Sequence, residues 1–383
     1  MLEPRDEADL AEAIAGLTEP VEIRGGGSRL ALGRPVRAGP PRAGAGVSGV
    51  SLYEPGALTL VAGAGTPLAE IAAMLAAENQ RLAFEPMDHR PLLGEGGEPT
   101  IGGVTACNVS GPRRVQAGAC RDALLGVRFV DGTGQVLRNG GRVMKNVTGY
   151  DLVKLLAGSW GTLGVLTELA FKLAPAPEAA ATLSLQGLDD VAALGAMTAA
   201  LGSPYDVTGA AHVPGGEGAA PRTLIRIEGF GPSVAYRAGR LARLLGRFGE
   251  VTTDDDPASV AATWAAVRDV AAFAGRPGAV WRVSLRPSDA PGFVAAVAPE
   301  AALYDWGGGL VWLLAPETDA AAATIRAAAA RLKGHAALVR AAAPYRAAIG
   351  AFQPETPALA ALSEGVRAKF DPKGLLNPGR MRG

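Results

Sequence analysis

Arg24-Gly25-Gly26-Gly27-Ser28-Arg29 is the first stretch whose residue types could do chemistry. Three consecutive glycines after the short run Val21-Glu22-Ile23 can turn successive backbone N–H groups toward one point, making an anion-binding nest. Arg24 and Arg29 would add charge and Ser28 a hydroxyl donor. The alternative is a loose turn; the flanking basic and hydroxyl residues favour the nest. A second glycine-dense stretch runs from Glu98 to Thr167. Gly102-Gly103, Gly111, Gly118, Gly140-Gly141, Gly149, Gly158, Gly161 and Gly164 punctuate its short apolar runs. Glycine loses more backbone freedom on folding than any other residue, so this density is costly unless the chain approaches something closely or takes φ > 0. A flexible linker would lack the interspersed hydrophobic residues. Both stretches point to backbone amides that meet a phosphate-bearing ligand.

Other chemistries find little support. Two cysteines, Cys107 and Cys120, are too few for an iron–sulfur cluster of four thiolates. His89, His212 and His335 lie far apart without paired metal-ligand spacing, so no metal site is expected. Lys plus Arg total 37 and Asp plus Glu total 37, which gives no electrostatic case for nucleic acid or an anionic membrane. The acidic start MLEPRDEADLAEAI has no apolar core of a signal peptide, and no apolar run approaches the roughly 18–20 residues of a membrane span. The expected location is cytoplasmic. A chain of 383 residues predicts two domains.

The elements that must position these glycines can be read from spacing. Leu10, Ile14 and Leu17 predict an amphipathic first helix. Leu58–Ala62, then Gly63-Ala64-Gly65-Thr66-Pro67-Leu68, then a helix to about Asn79 mimics a dinucleotide-binding βα turn, with Glu85 as its ribose-binding acid. Leu68 at the third glycine position and Pro67 at the first helical turn argue instead for a structural turn. Leu125, Val127 and Phe129 predict a strand that returns through Val136-Leu137. Asp151 should cap a helix carrying Leu152, Leu155 and Leu156, with Gly158 as its stop. Val165 to Leu173 alternates as a half-buried strand, and APAPE at 174–178 reads as a boundary.

Beyond that boundary, strands at Leu224–Phe230 and Val280–Leu285 alternate with helices carrying Val234, Leu241, Leu244 and Phe248, and Trp264, Val267, Val270 and Phe273. Leu303–Trp306 and Leu310–Leu314 flank Gly307-Gly308-Gly309 as a hairpin, and an Ala-rich helix runs from Asp319 to Lys333. The pattern predicts a smaller α+β domain with a sheet and helices on one side. Arg237, Arg240, Arg243 and Arg247 form a basic stripe, read as a solvated face rather than a docking surface.

Taken in order, these motifs resemble the FAD-binding family of the vanillyl-alcohol oxidase / p-cresol methylhydroxylase (PCMH) type. They are Arg24–Ser28, Thr100–Gly103, Asn108–Arg113, Arg121-Asp122 with Leu125-Gly126, Gly141–Asp151, Gly161–Val165, Phe370–Pro372 and Asn377–Gly379. Within that family the chain is most similar to the FAD-binding subunits of bacterial glycolate oxidase (glycolate dehydrogenase) complexes. The resemblance implies an α+β fold without a Rossmann domain. It implies a PCMH-type FAD-binding domain of two α+β subdomains over 1–175, an α+β cap with an antiparallel sheet over 176–340, and a segment 341–383 returning to the first domain. It also implies that Arg24, Gly25, Gly26, Gly27 and Ser28 hold the pyrophosphate, and that Pro86, Thr100, Ile101, Gly102 and Gly103 line the dinucleotide. Asn108, Ser110 and Gly111 would lie on the flavin side, Gly164 and Val165 would meet the adenine half, and Asn377 and Arg380 would close over the cofactor. Some relatives attach flavin through histidine. None occurs in the Arg24–Ser28 loop or in 100–118, which predicts non-covalent FAD.

The implied partners are a catalytic flavoprotein subunit and an iron–sulfur subunit, with a small 2-hydroxy acid as substrate of the complex. No nucleic acid and no integral membrane segment are expected, and contact with the inner membrane would come through the complex. Related hydroxy-acid-oxidising flavoproteins carry a motif of the type HGDGNxH in the second domain. Here His212 sits in Ala-Ala-His-Val-Pro and His335 in Lys-Gly-His-Ala-Ala, so no general base is evident. The expectation is therefore a subunit whose flavin relays electrons or stabilises the assembly, its catalytic residues unknown. The alternatives are a self-sufficient 2-hydroxy-acid dehydrogenase and a flavin-free scaffold.

Overall fold

The computed structural model describes residues 4–38, 43–44, 46–142, 149–216 and 218–381. Val143–Thr148, the middle of the Gly141–Asp151 motif, lies outside them. The first half is built on a five-stranded antiparallel sheet in the order Val50–Glu54, Thr59–Gly63, Val165–Lys172, Leu124–Val130, Val136–Gly140. Strand Thr59–Gly63 is buried along its whole length and pairs antiparallel with both neighbours. The Gly63–Leu68 turn therefore belongs to no parallel βαβ unit. Thr66 closes it, its hydroxyl donating to the Gly63 carbonyl at 2.7 Å. Val165–Lys172 is more buried than a half-exposed strand, because it is central in the sheet. Helix Glu7–Ala15 packs beside it, and Glu7 accepts a 2.5 Å hydrogen bond from Thr167.

A small subdomain lies against this sheet. It joins helix Glu7–Ala15, a parallel pair Ile23–Arg24 with Ala43–Gly44, and the C-terminal tail, around Leu10, Ile14, Val21, Val130, Val165 and Leu376. The tail is tied in by Asp371, whose carboxylate accepts from the Leu375 and Leu376 amides, and by a Val21–Leu376 bridge. Asp151 caps helix Leu152–Leu156 by accepting from the Lys154 amide, and Gly158 takes φ +90° after it.

The second half is an eight-stranded antiparallel sheet made of two β-α-β-β-α-β repeats. The first comprises Ala179–Gln186, helix Asp190–Leu201, Val207–Val213, Arg222–Gly229, helix Gly231–Leu245 and Val251–Asp254. The second comprises Ala279–Ser284, helix Ala290–Val297, Ala301–Asp305, Leu310–Ala315, helix Asp319–Arg331 and His335–Arg340. The second strand of each repeat meets its counterpart at the middle of the sheet, where His212 lies opposite Tyr304. The four repeat helices bury one face of the sheet, with Trp281, Ile225, Leu241 and Ile325 in that core. The other face carries Leu224, Val280, Trp312 and Leu314 into a core shared with the first half. Helix Pro257–Arg268 joins that shared core through Val260, Trp264 and Val267 and breaks before Val270, which takes φ +52°. The 174–178 segment is not a free linker, since Ala174–Pro175 pairs with Gln80–Arg81.

Candidate functional site

The glycines of Arg24–Ser28 are required by how closely two chain segments meet. A Cβ on Gly25 would stand 2.5 Å from the Thr100 hydroxyl, and one on Gly26 would overlap the Glu98 carbonyl. Glu98 donates its amide to the Gly26 carbonyl at 2.8 Å, and Gly27, at φ +81°, bridges to Glu98. Gly102 packs likewise on Ala64, where an added Cβ would lie 2.6 Å from the Ala64 oxygen. The two glycine stretches are thus stitched into one cradle.

That cradle walls a cleft between the two subdomains. Arg24, Gly25, Gly26, Gly27, Ser28, Thr100, Gly102, Gly103, Gly164, Val165, Asn377 and Arg380 all line it. Pro86, Ile101 and Gly111 do not. Ile101 is fully buried in the core, and Gly111 sits under Glu85 and Arg268, where a side chain would have no room. Asn108 and Ser110 line a neighbouring cavity, which shares Leu32, Cys107 and Trp160 with the cleft.

Several polar side chains of the cleft are already engaged with the polypeptide. Arg24 pairs with Glu22 at 2.8 Å, and Arg380 with the same carboxylate at 2.6 Å. Arg380 also donates to the Leu30 and Leu32 carbonyls. Asn377 accepts from the Ile23 amide at 2.7 Å and donates to the Trp160 carbonyl at 2.8 Å. These side chains hold the shape of the cleft, much as buried polar groups elsewhere find internal partners.

Arg29 is different. It donates to His89 Nδ1 at 3.3 Å, to Ser28 Oγ and to the Met87 carbonyl, and it has no carboxylate partner among the described residues. Burial lowers its pKa. A largely enclosed guanidinium with no ion pair in contact is suited to a diphosphate. Because the imidazole accepts from Arg29, burial and that neighbouring charge push the His89 pKa down to about 3.

The neighbouring cavity lies on the seam between the halves. Its floor comes from the second sheet, where Arg282 faces Trp312 across one strand pair and Ala337 across the other, with His335 on the same strand as Ala337. Arg114 and Asn108 enter from the first half. The guanidinium carbons of Arg114 and Arg282 lie over the Trp306 ring, 4.5 and 4.9 Å from its centre. Trp306 takes φ +53° and donates its indole N–H to the Gly111 carbonyl at 3.0 Å. Burial, and then Arg114, push the Arg282 pKa down to about 10. Partial enclosure, and then Arg282, lower the His335 pKa.

The seam is held by buried ion pairs. Glu85, the apparent ribose acid, instead grips Arg226 of the second sheet with both carboxylate oxygens at 2.9 and 2.8 Å. Glu228 meets Arg81 at 2.7 Å and Arg113 at 3.4 Å. His212 is not near either cavity wall. It is buried between Thr223 at 3.0 Å and Asp190 at 3.4 Å, with Tyr304 donating to the same Asp190 at 2.6 Å. Arg237 of the basic stripe is bound to the Tyr205 and Glu228 carbonyls, so the stripe is partly tied down. Arg29 is expected from sequence as a charge of the nest, whereas Arg114, Arg282 and Trp306 stand in no motif and are not expected as site residues. The described residues contain no group of three or more His, Cys, Asp or Glu able to hold a metal, and no helix long and apolar enough to cross a membrane.

Residues 1–140 match the family model described as an FAD binding domain. The fold is shared with alkyldihydroxyacetonephosphate synthase at a TM-score of 0.68 and 16% identity, over 98% of this chain and 76% of that one. Fold and cleft together define a PCMH-type FAD-binding protein with an antiparallel second domain. The glycolate oxidase subunit GlcE of Escherichia coli (strain K12) is 37% identical over 97% of this chain and 94% of its own length. The chain belongs to the GlcE family. The glycolate oxidase subunit GlcD of Bacillus subtilis (strain 168) is 45% identical over 22% of this chain and 18% of its own, so that likeness is local.

Proposed function

We propose that this chain is the FAD-binding subunit of a multi-subunit glycolate oxidase that converts glycolate to glyoxylate. The observation that carries the proposal is the glycine-built cleft in a chain similar to GlcE along nearly its whole length. The Gly25–Gly27 loop with Ser28 and Arg29 would hold the diphosphate. Thr100, Gly102 and Gly103 would line the dinucleotide, Gly164 and Val165 the adenine half, and Asn108 and Ser110 the flavin side. Bound flavin supplies an acceptor that takes a hydride or passes electrons singly. FAD is held without a covalent bond. Neither the Arg24–Ser28 loop nor residues 100–118 carries a histidine, and burial raises the pKa of Cys107, which lines both the cleft and the flavin-side cavity. Its partners are a catalytic flavoprotein subunit and an iron–sulfur subunit, and it works in the cytoplasm, reaching the inner membrane through them.

In this reading the flavin relays electrons or stabilises the complex. The test mixes the purified, flavin-loaded subunit with glycolate or D-lactate without oxygen. Unchanged absorbance near 450 nm, with turnover restored when the partner subunits are added, is the expected result. Stoichiometric bleaching by substrate would favour a second reading, a self-sufficient 2-hydroxy-acid dehydrogenase. The specific observation on its side is the arginine-bearing cavity beside the cleft. Acid denaturation should release all flavin from the polypeptide; flavin that precipitates with the protein contradicts non-covalent binding.

A further inference from the structure

Arg29 lines the cofactor cleft, yet its guanidinium is oriented from outside the glycine cradle. Its Nη2 donates to the Met87 carbonyl at 3.2 Å and its Nε to His89 Nδ1 at 3.3 Å. Both acceptors belong to the loop 85–89, so the position of Arg29 follows that loop. The Asp88 carboxylate, whose charge also acts on Arg29, is itself taken by Arg90 at 2.8 Å. The Asp88 amide points the other way, across the seam, and donates to Asp269 Oδ1 at 2.9 Å. Asp269 is held in turn by both nitrogens of the Arg268 fork, at 2.8 and 2.7 Å. Both sides of this contact carry backbone that is costly to hold. Val270, directly after Asp269, is fully buried at φ +52°, and Glu85 opens the loop at φ +46°. A β-branched residue in the left-handed region is an outlier, and it persists only where the surrounding structure fixes it. The turn at Val270 ends helix Pro257–Arg268 and leaves Asp269 facing the Asp88 amide. Arg340 ties the two segments together again further on, donating to the Leu92 and Phe273 carbonyls at 3.1 and 2.7 Å.

We propose that Asp269 is a positioning residue for the cofactor. Through the Asp88 amide it fixes the 85–89 loop, whose Met87 carbonyl and His89 ring aim Arg29 at the diphosphate. A carboxylate that accepts from a backbone N–H makes a charge-assisted bond, stronger than one between neutral groups. A guanidinium held in place beforehand loses less side-chain freedom on binding than one that the ligand must order. Residues 176–340 contribute nothing to the cleft wall, yet they act on the cofactor through this relay. The contact is separate from the Glu85–Arg226 pair, which ties the same halves without touching the Asp88 amide. The inference deepens the proposed function and rests on it for the identity of the ligand, FAD.

The experiment is a double-mutant cycle on FAD affinity, read as flavin fluorescence released when the full-length, flavin-loaded chain is diluted. Arg29→Gln and Asp269→Ala should each raise the FAD dissociation constant about tenfold, and the double variant should be no weaker than Arg29→Gln within about threefold. Asp269→Asn keeps Oδ1 as an acceptor for the Asp88 amide and should stay within about threefold of wild type. Arg226→Ala, which loosens the seam elsewhere, should also stay within about threefold, a difference that a merely stabilising role for Asp269 does not produce. Losses that multiply in the double variant would overturn the proposal, as would wild-type affinity in Asp269→Ala or an equal loss in Asp269→Asn. Should Asp269→Ala fail to fold, Asp269→Glu decides. It keeps a charge for Arg268 but displaces the acceptor by a methylene, so FAD should weaken at least threefold, and unchanged affinity overturns the relay. A wild-type chain that takes up no flavin would sink the proposed cofactor; a flavin-loaded wild type with multiplying losses sinks the relay alone.

Discussion

The cleft and the arginine cavity lie side by side, share Leu32, Cys107 and Trp160, and are built from different parts of the chain. The cleft is made of backbone. Its glycines let Gly25–Gly27, Glu98–Thr100 and Ala64 come together, and its ionisable side chains mostly hold the polypeptide. The cavity is made of side chains that extend from two domains and leave charge unpaired. A backbone site is pre-placed and loses little side-chain entropy on binding, so it suits a permanent cofactor. A site shared across a seam depends on how the halves sit, so it suits a ligand that comes and goes.

That contrast can be broken at the seam first. Arg226→Ala removes the cation that Glu85 grips and leaves a largely enclosed carboxylate with only the Arg113 amide as partner. It should cost about 3–5 kcal/mol in urea denaturation. Flavin content should hold; a parallel loss of flavin would show that the cleft too depends on the seam. Gly26→Ala is the converse. Its Cβ meets the Glu98 carbonyl, a backbone atom that cannot swing away, at a cost of about 1–3 kcal/mol. The flavin-to-protein ratio should fall at least tenfold while the urea midpoint moves only as that cost requires. If the ratio is unchanged, the loop is only structural.

An effect seen only on acidification sharpens the boundary between the two sites, where His89 takes a hydrogen bond from Arg29. Its folded pKa is about 3 against about 6.5 in the unfolded chain. The unfolded state therefore binds the extra proton between those values. The His89 contribution is complete above pH 6.5 and is lost as pH falls toward 3, at up to about 1.4 kcal/mol per pH unit. His89→Gln should flatten the acid limb of stability against pH by that slope. An unchanged limb would mean that the ring is protonated in the folded protein.

Much of the fold was legible because local chemistry dictated it. Asp151 and Gly158 bounded a helix as their cap preferences require, and Leu68 and Pro67 correctly marked the Gly63 turn as structural. The hairpin through Gly307–Gly309 followed from its flanking apolar runs. The duplication of the second half was not legible, since a repeat of topology leaves no repeated side chains to recognise. The burial of Val165–Lys172 was underestimated because alternation reports one covered face and is silent on a helix arriving at the other. Glu85 had the spacing of a ribose-binding acid, and only the arrival of Arg226, 141 residues later in the chain, gives it a different partner.

By itself, the sequence determined the glycine cradle, because a requirement for no side chain is written residue by residue and needs no knowledge of distant partners. Its order of motifs also determined the class of cofactor. Tertiary structure alone decided the arginine cavity. Arg114, Arg282 and Trp306 are ordinary in their local contexts, and their shared property, two guanidinium groups on one ring with no ion pair in contact, exists only once the two domains are docked.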